Sequence, residues 1–282
     1  MSGTLYVVAT PIGNLEDITL RALRVLREVD LIAAEDTRRS GRLLAHHGIS
    51  TRTISFHEHD SRSRVAQLVS RLEAGQSIAI VTDAGTPGVS DPGLKLVKEA
   101  IERDIRVDPI PGASAPLAAL IASGFEMMPF TVFGFAPNRS NDRMKWLGEI
   151  AKTPHTFSFF EAPHRIQATL RQSSDVFGKR PIVLGRELTK VHQEFLRGTA
   201  SELAERLTEP RGEFTIIVGP APIVLNTKEM QLTDEDVVRE FGRITETAGG
   251  SRRQAITEVA RKSGRSAKDV YAAIERAKKL GV

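Results

Sequence analysis

The chain has no cysteine in its 282 residues, which removes disulfide frameworks, thiolate metal sites and cysteine nucleophiles together. It has no apolar run long enough to span a bilayer. Its amino terminus reaches the strand-like Leu5-Tyr6-Val7-Val8 without a basic segment followed by an apolar one, so a signal peptide is not expected. No Gly-x-Gly-x-x-Gly follows a strand-like run, and no Walker phosphate loop occurs. Those absences exclude the ordinary glycine fingerprints for dinucleotides and nucleoside triphosphates. Internal repeats and low-complexity tracts are missing as well. A reducing cytoplasm suits this composition.

What the chain does contain is a set of glycine- and proline-rich loops placed after apolar runs. The run Ser77-Ile78-Ala79-Ile80-Val81-Thr82 breaks into Asp83-Ala84-Gly85-Thr86-Pro87-Gly88-Val89-Ser90-Asp91-Pro92-Gly93, a strand ending in a constrained loop. Thr10-Pro11-Ile12-Gly13-Asn14 and Pro111-Gly112-Ala113-Ser114-Ala115 follow two further strand-like segments. Loops at the carboxyl ends of parallel strands are where open α/β sheets bind ligands. Gly85 and Gly88 admit close approach of backbone to a ligand. Together the three loops predict one pocket walled largely by main chain.

Apolar runs near 4–9, 30–34, 53–56, 77–82 and 106–110 alternate with amphipathic stretches at 17–28, 37–47, 61–73, 93–103 and 114–123. That alternation predicts a parallel sheet covered on both faces, within a first lobe over 1–122. A second α/β lobe is expected over 123–222, with strands near 130–135, 155–161, 181–186, 193–199 and 213–219. Helices are expected there near 140–151, 164–176 and 201–208. The stretch 193–219 reads as more antiparallel than the first lobe. Residues 223–232 read as a linker after Pro220-Ala221-Pro222.

Residues 233–282 read as a separate helical unit. Capping-type starts occur at Thr233/Asp236, Ser251/Gln254 and Ser266/Asp269. Gly264 sits where a helix-turn-helix would turn, and Ile256, Val259, Val270, Tyr271 and Ile274 are the expected core. From Gly250 onward nine lysines and arginines face three acidic residues, a net +6 against +4 for the whole chain. Such a basic module points to a polyanionic partner, with a solvated surface as the alternative.

Joined to Leu15–Ala22, Ala34-Glu35-Asp36-Thr37-Arg38, Ser55–His59, Glu161–Arg165 and Gly185–Lys190, these loops closely resemble one family across residues 3–222. It is the bacterial 16S ribosomal RNA 2′-O-methyltransferases of type I, within the tetrapyrrole-methylase class of S-adenosylmethionine enzymes. The resemblance implies two α/β lobes with the cofactor cleft between them, plus a small helix-turn-helix-like C-terminal domain. It also implies methyl transfer to the ribose 2′-hydroxyl of a cytidine in the decoding region. With the exposed apolar connector around Phe125, Met127, Met128, Phe130 and Phe133, it implies a homodimer. A tetrapyrrole-precursor methylase and a DNA-binding regulator that senses S-adenosylmethionine are the competing readings.

On that resemblance, Pro11, Ile12, Gly13, Asp83, Gly85, Thr86, Pro87, Gly88, Val89, Gly112, Ala113 and Ser114 are cofactor-binding candidates, with Phe160 and Glu161 from the second lobe. Asp83 either accepts from the ligand's amino group or caps its own loop. Methyl transfer needs alignment of the oxygen and removal of its proton. Glu35, Asp36, Glu187 and Lys190 are the catalytic candidates, and nothing in the sequence singles out the base. Lys190 is suited to stabilising a developing alkoxide. His57, His164, Arg165, Arg186, Arg252, Arg253, Arg265 and Lys268 are RNA-binding candidates. His57, His59 and Asp60 have metal-ligand spacing, but the resemblance lends no metal to the site.

Overall fold

The computed structural model describes residues 2–57, 62–88, 93–208, 210–222, 234–247, 252–263 and 265–279. Five parallel strands, β1 (Thr4–Val8), β2 (Leu31–Ala34), β3 (Thr53–Ser55), β4 (Ile78–Val81) and β5 (Arg106–Ile110), form the first sheet in the order β3-β2-β4-β1-β5. Strands β2 and β4 are buried along their whole length, as unbroken apolar strands of a doubly covered sheet must be. Their residues alternate between two cores. Leu31, Ala33, Ile78 and Ile80 pack with Leu68, Leu72, Leu96 and Ala100 of α3 (Arg62–Glu73) and α4 (Gly93–Glu102). Ile32, Ala34, Ala79 and Val81 pack on the opposite face with Ala22, Val25, Leu26 and Leu44 of α1 (Leu20–Glu28) and α2 (Thr37–His46). Because all five strands run the same way, their carboxyl ends share one edge of the sheet.

The second sheet has the order β6-β7-β10-β8-β9, built from β6 (Phe130–Phe135), β7 (Thr156–Glu161), β8 (Ile182–Arg186), β9 (Glu194–Gly198) and β10 (Phe214–Val218). Only β6 and β7 pair in parallel; β10 runs antiparallel to β7 and β8, and β9 antiparallel to β8. Helices α6 (Ser140–Ile150), α7 (Ile166–Phe177) and α8 (Ala200–Arg206) cover one face, where Leu147, Ile150, Leu170 and Leu203 meet Phe157, Phe159 and Ile216. On the other face lies α5 (Ala115–Ser123), whose Ala119 and Leu120 pack with Val183, Leu188 and Ile217. This helix falls in the first lobe by sequence and on the second sheet by packing. The two lobes accordingly make one compact unit, residues 1–221.

The connector between the lobes differs from its sequence reading. Phe125 and Phe130 pack partly against the α5 cluster, and Phe133 stands edge-on to Phe157 and Trp146. Exposure is concentrated at Met127 and Met128, with Phe135 also open to solvent.

Residues 222–282 form a second unit. Helices α9 (Asp234–Thr247), α10 (Arg252–Ser263) and α11 (Ala267–Lys279) enclose Val237, Val259, Val270, Ala273 and Ile274. Tyr271, expected in this core, is half exposed beneath the Arg252 guanidinium. Ser266 caps α11 by accepting from the Asp269 N–H at 3.1 Å, while its hydroxyl donates to the Asp269 carboxylate. The 223–232 linker, Thr233, Ser251 and Gly264 lie outside the described residues.

One buried cation ties the second lobe together. Arg180, 4% exposed, donates to the carbonyls of Gly219, Ala151, Thr153 and His155 and lies 4.9 Å from the Phe157 ring centroid. Burial lowers its pKa from the ordinary arginine value. A planar fork with five donors can serve several carbonyls at once, which a point-charge ammonium cannot. Arg180→Met should therefore cost on the order of 3 kcal/mol by stranding buried acceptors, and Arg180→Lys should recover only part of it. Thermal melts of both variants check this; an unchanged midpoint for the methionine variant would contradict the assignment.

Candidate active site between the two lobes

The loops at the carboxyl edge of the first sheet are hydrogen-bonded to one another. Thr10 and Gly85 exchange main-chain hydrogen bonds of 2.9 and 3.0 Å, joining the β1 and β4 loops. The Thr86 hydroxyl donates to the Ala113 carbonyl at 3.3 Å, adding the β5 loop. Between the β2 and β4 ends the contacts are reciprocal. The Glu35 carboxylate accepts from the Asp83 N–H at 3.2 Å, and the Asp83 carboxylate accepts from the Asp36 N–H at 3.0 Å. The second Asp83 oxygen pairs with Arg39 at 3.2 Å. Asp83 thus ties its loop to the neighbouring one, a contact that neither of its two expected roles, ligand acceptor or cap of its own loop, included.

The second lobe meets this rim through the turn at 187–190. Glu187 and Thr189 adopt left-handed φ values of 49° and 64°, unusual for residues with a Cβ. The turn is held by Lys190, whose Nζ lies 2.9 Å from Glu187 and 3.2 Å from Glu213. Glu187 also accepts from the Glu213 N–H at 2.8 Å. Gly13 of the first lobe packs here so closely that a Cβ would fall 2.6 Å from Lys190 Cγ and 2.7 Å from the Leu188 carbonyl oxygen. The glycine is required by contact between the lobes.

Two adjoining chambers open between the lobes. The inner one, about 400 Å³, is walled by Ile12, Ala84 and Ala115 on one side and by Phe135, Phe160, Ala162, Pro163 and Phe214 on the other, with Glu35 and Asp83 among its polar groups. The outer one, about 460 Å³, is lined by Thr10, Pro11, Gly13, Arg42 and Lys190 among others. Arg39, Asp83 and Glu213 belong to both.

Among the cofactor candidates, Ile12, Asp83, Phe160 and Glu161 line the inner chamber, and Pro11 and Gly13 the outer. Glu161 is a structural anchor: its side chain is fully buried and accepts from the Ala162 N–H, Arg165 and Thr169. Gly85 and Gly88 take left-handed φ values of 83° and 93°. A Cβ on Gly85 would meet only Ile12 and Ala113 beyond 3.4 Å, and one on Gly88 nothing within 4 Å. Their left-handed φ values favour glycine whatever the space around them. Thr86 and Ala113 hold the rim, Gly112 packs on Ala9, and Ser114 precedes α5 without a side-chain cap bond. Pro87 lies in the same β4 turn as Gly88, and Val89 falls outside the described residues.

The catalytic candidates separate by environment. Asp36 is the N-cap of α2, and its bond from the Arg38 N–H holds its carboxyl below the usual range. Burial raises the Glu187 carboxyl, but the bonds from Lys190 and the Glu213 N–H bring it below its ordinary value. Burial lowers Lys190, and its two carboxylate partners more than reverse that. Lys190 is a cation and Glu187 an anion at neutral pH. Glu35 is the catalytic candidate that lines the inner chamber. Arg39, Glu213 and Phe135 went unmarked in the sequence reading; the dipeptide Arg38-Arg39 beside Glu35 was the available signal for the first.

Several RNA candidates are already engaged within the protein. Arg165 is held by Glu161, and Arg186 by the Arg211 carbonyl at 2.8 Å and by Glu194. Arg252 pairs with Glu275 and Arg265 with Asp234, each at 2.7 Å. Arg253, Lys268 and His164 are exposed, and the His57 ring lies 2.7 Å from the Ser55 hydroxyl. Residues 234–282 as a whole carry eleven basic and eight acidic side chains, a net +3. Helix α9 supplies the difference: Asp234 pairs with Arg265 and Arg276, and Glu240 with Arg243 and Lys262. The bonds from Arg243 and Lys262 pull the Glu240 carboxyl down to about 2.

The Glu187–Lys190–Glu213 cluster gives the body a pH signature. Glu187 titrates below its ordinary 4.5 when folded, so its contribution is complete above that value and lost as pH falls. Lys190 titrates above 10.5, so its contribution is complete below that value and lost as pH rises. Melting temperature against pH should show losses on both sides of a plateau, and Lys190→Met should flatten both limbs. An alkaline limb that the variant leaves untouched would remove Lys190 from this role.

A profile of the tetrapyrrole (corrin/porphyrin) methylases matches residues 4–204. Ribosomal RNA small subunit methyltransferase I of Streptococcus pyogenes serotype M3 is 44% identical over 263 residues, covering 92% of this chain and 90% of that protein. Its Synechocystis counterpart is 42% identical over 272 residues, covering 95% and 96%. The crystal structure of uroporphyrin-III C-methyltransferase from Thermus thermophilus, complexed with S-adenosylhomocysteine, superposes with a TM-score of 0.55 at 18% identity, covering 77% of this chain and 97% of that one. The chain belongs to the tetrapyrrole methylase family, in its ribosomal RNA small subunit methyltransferase I branch.

Proposed function

We propose that this enzyme transfers a methyl group from S-adenosylmethionine to the ribose 2′-hydroxyl of a cytidine in the decoding region of 16S ribosomal RNA, in the cytoplasm and as a homodimer. The observation that carries the reading is near-full-length similarity, above 40% identity, to curated ribosomal RNA small subunit methyltransferases I. The inner chamber fits the cofactor chemically. Phe135, Phe160 and Phe214 offer apolar and aromatic wall to a purine, while Glu35 and Asp83 offer carboxylates to a cationic ligand.

When bound, S-adenosylmethionine supplies an electrophilic methyl group on a sulfonium centre. The chain's residues do the remainder. The rim of Thr10, Gly85, Asp83 and Glu35 holds the inner wall rigid, so that binding does not require the loops to be ordered first. Phe160 and Phe214 give the inner chamber apolar walls that would exclude water around a bound cofactor. Lys190, fixed between two carboxylates in the outer chamber, stabilises negative charge developing on the acceptor oxygen. Glu35, a carboxylate in the lining of the inner chamber, receives the proton. Asp36 caps α2 and Glu187 belongs to the ion cluster around Lys190. Among the described side chains of the helical unit, Arg253 and Lys268 are exposed cations available to phosphate.

Transfer of labelled methyl from S-adenosylmethionine to small ribosomal subunits, with label at a cytidine 2′-oxygen, is the expected result. Label in a tetrapyrrole precursor, or in neither substrate, would overturn the reading. Lys190→Met should lower kcat about 100-fold and leave S-adenosylhomocysteine affinity within a few-fold of wild type; unchanged kcat would remove Lys190 from the reaction. A chain ended at Pro222 should keep cofactor affinity and lose affinity for small subunits, most at low salt. Full activity of that chain at low substrate concentration would show that the helical unit does not bind substrate.

A further inference from the structure

The outer chamber holds chemistry that the cofactor does not use. Helix α2 presents Arg39, Ser40 and Arg42 to it, and the second lobe presents Lys190 and Glu213. Its two carboxylates are each matched by a cation, Asp83 by Arg39 at 3.2 Å and Glu213 by Lys190 at 3.2 Å. Arg42 is the remaining cation, exposed and in no ion pair with a described residue. Beside it Ser40 is 5% exposed, and its hydroxyl is buried with no hydrogen-bond partner among the described residues. A buried hydroxyl without a partner is uncommon, because each one costs free energy. Ser40 belongs to the lining of the chamber, in the helix that also carries Arg39 and Arg42. Thr10, also in the lining, spends its hydroxyl on the Thr82 carbonyl.

We propose that the outer chamber is a phosphodiester subsite. Arg42 forks onto the two non-bridging oxygens of the phosphate flanking the target ribose, and the Ser40 hydroxyl donates to the same group. Arg39 stays on Asp83, at the boundary shared with the inner chamber. A planar guanidinium matches two phosphate oxygens, and a hydroxyl donor beside it completes a set that water alone does not require. Held there, the phosphate would fix the ribose in front of the inner chamber, so the subsite orients the acceptor rather than reacting. The assignment rests on the reading of the acceptor as RNA. A tetrapyrrole carboxylate would also suit an arginine, but the similarity to ribosomal RNA methyltransferases favours the phosphodiester.

The test uses the full-length protein saturated with S-adenosylhomocysteine and the diribonucleotide cytidylyl-cytidine, which carries a single phosphodiester. Binding is followed by the NMR shifts of the arginine Nε resonances at millimolar ligand. The expected result is a shift at Arg42, with affinity about tenfold lower in Arg42→Ala, partly restored in Arg42→Lys, and about threefold lower in Ser40→Ala. S-Adenosylhomocysteine affinity should be unchanged in all three, because neither Arg42 nor Ser40 lines the inner chamber. With small subunits as substrate, Arg42→Ala should raise KM with little change in kcat and reduce the salt slope by about one. Equal dinucleotide affinity in wild type and Arg42→Ala, no detectable binding to wild type, or preferential binding of uroporphyrin III through Arg42 would each overturn the subsite. The reading of the acceptor is judged separately, by whether wild type labels small subunits at all.

Discussion

The reciprocal contact between Glu35 and Asp83 is the constraint on which the site depends. Each carboxylate satisfies a main-chain N–H at the end of the other's strand, so the β2 and β4 loops hold each other in place. Exposed main-chain donors at strand ends would otherwise need water, and the loops would be free to move. Thr10, Gly85, Thr86 and Ala113 extend the same logic to the β1 and β5 loops. What results is a rim of loops bound to one another, beside which side chains of the second lobe, Phe135, Phe160 and Phe214 among them, complete the chamber.

The second lobe completes the site by contact rather than by covalent proximity. Its 187–190 turn carries two residues in left-handed conformations, and the ion cluster around Lys190 holds them there. Gly13 lets that turn come within van der Waals distance of the first lobe. Helix α5 strengthens the junction, since it follows the last strand of one sheet and packs on the other. The cleft is therefore a fixed feature of one body.

Charge in the helical unit follows a different rule. Much of its basic character is spent internally, because Asp234 of α9 engages Arg265 and Arg276, and Glu240 engages Lys262 as well as Arg243 of its own helix. Formal charge along a segment overstates the field it presents when acidic partners lie a helix away. The exposed Arg253 and Lys268 are a better measure of what remains for a polyanion.

The alternation of apolar runs with amphipathic stretches was enough, by itself, to locate the ten strands and the helices of the body, because burial on both faces of β2 and β4 demands unbroken apolar residues. The loops after β1, β4 and β5 were legible too, since glycine and proline mark places where the chain must turn. Pairings were not. That Asp83 ties to the β2 loop, that Arg165 spends itself on Glu161, and that Tyr271 stands outside its core depend on residues far away in the chain. The same holds for Arg39, Glu213 and Phe135, which no local pattern distinguishes from ordinary surface and strand residues. Sequence determined the elements and the loops that the site is made from, because those follow from local periodicity and backbone preference. Only the tertiary structure decided which charges were already neutralised and which remained available, because that depends on what each side chain meets across the fold.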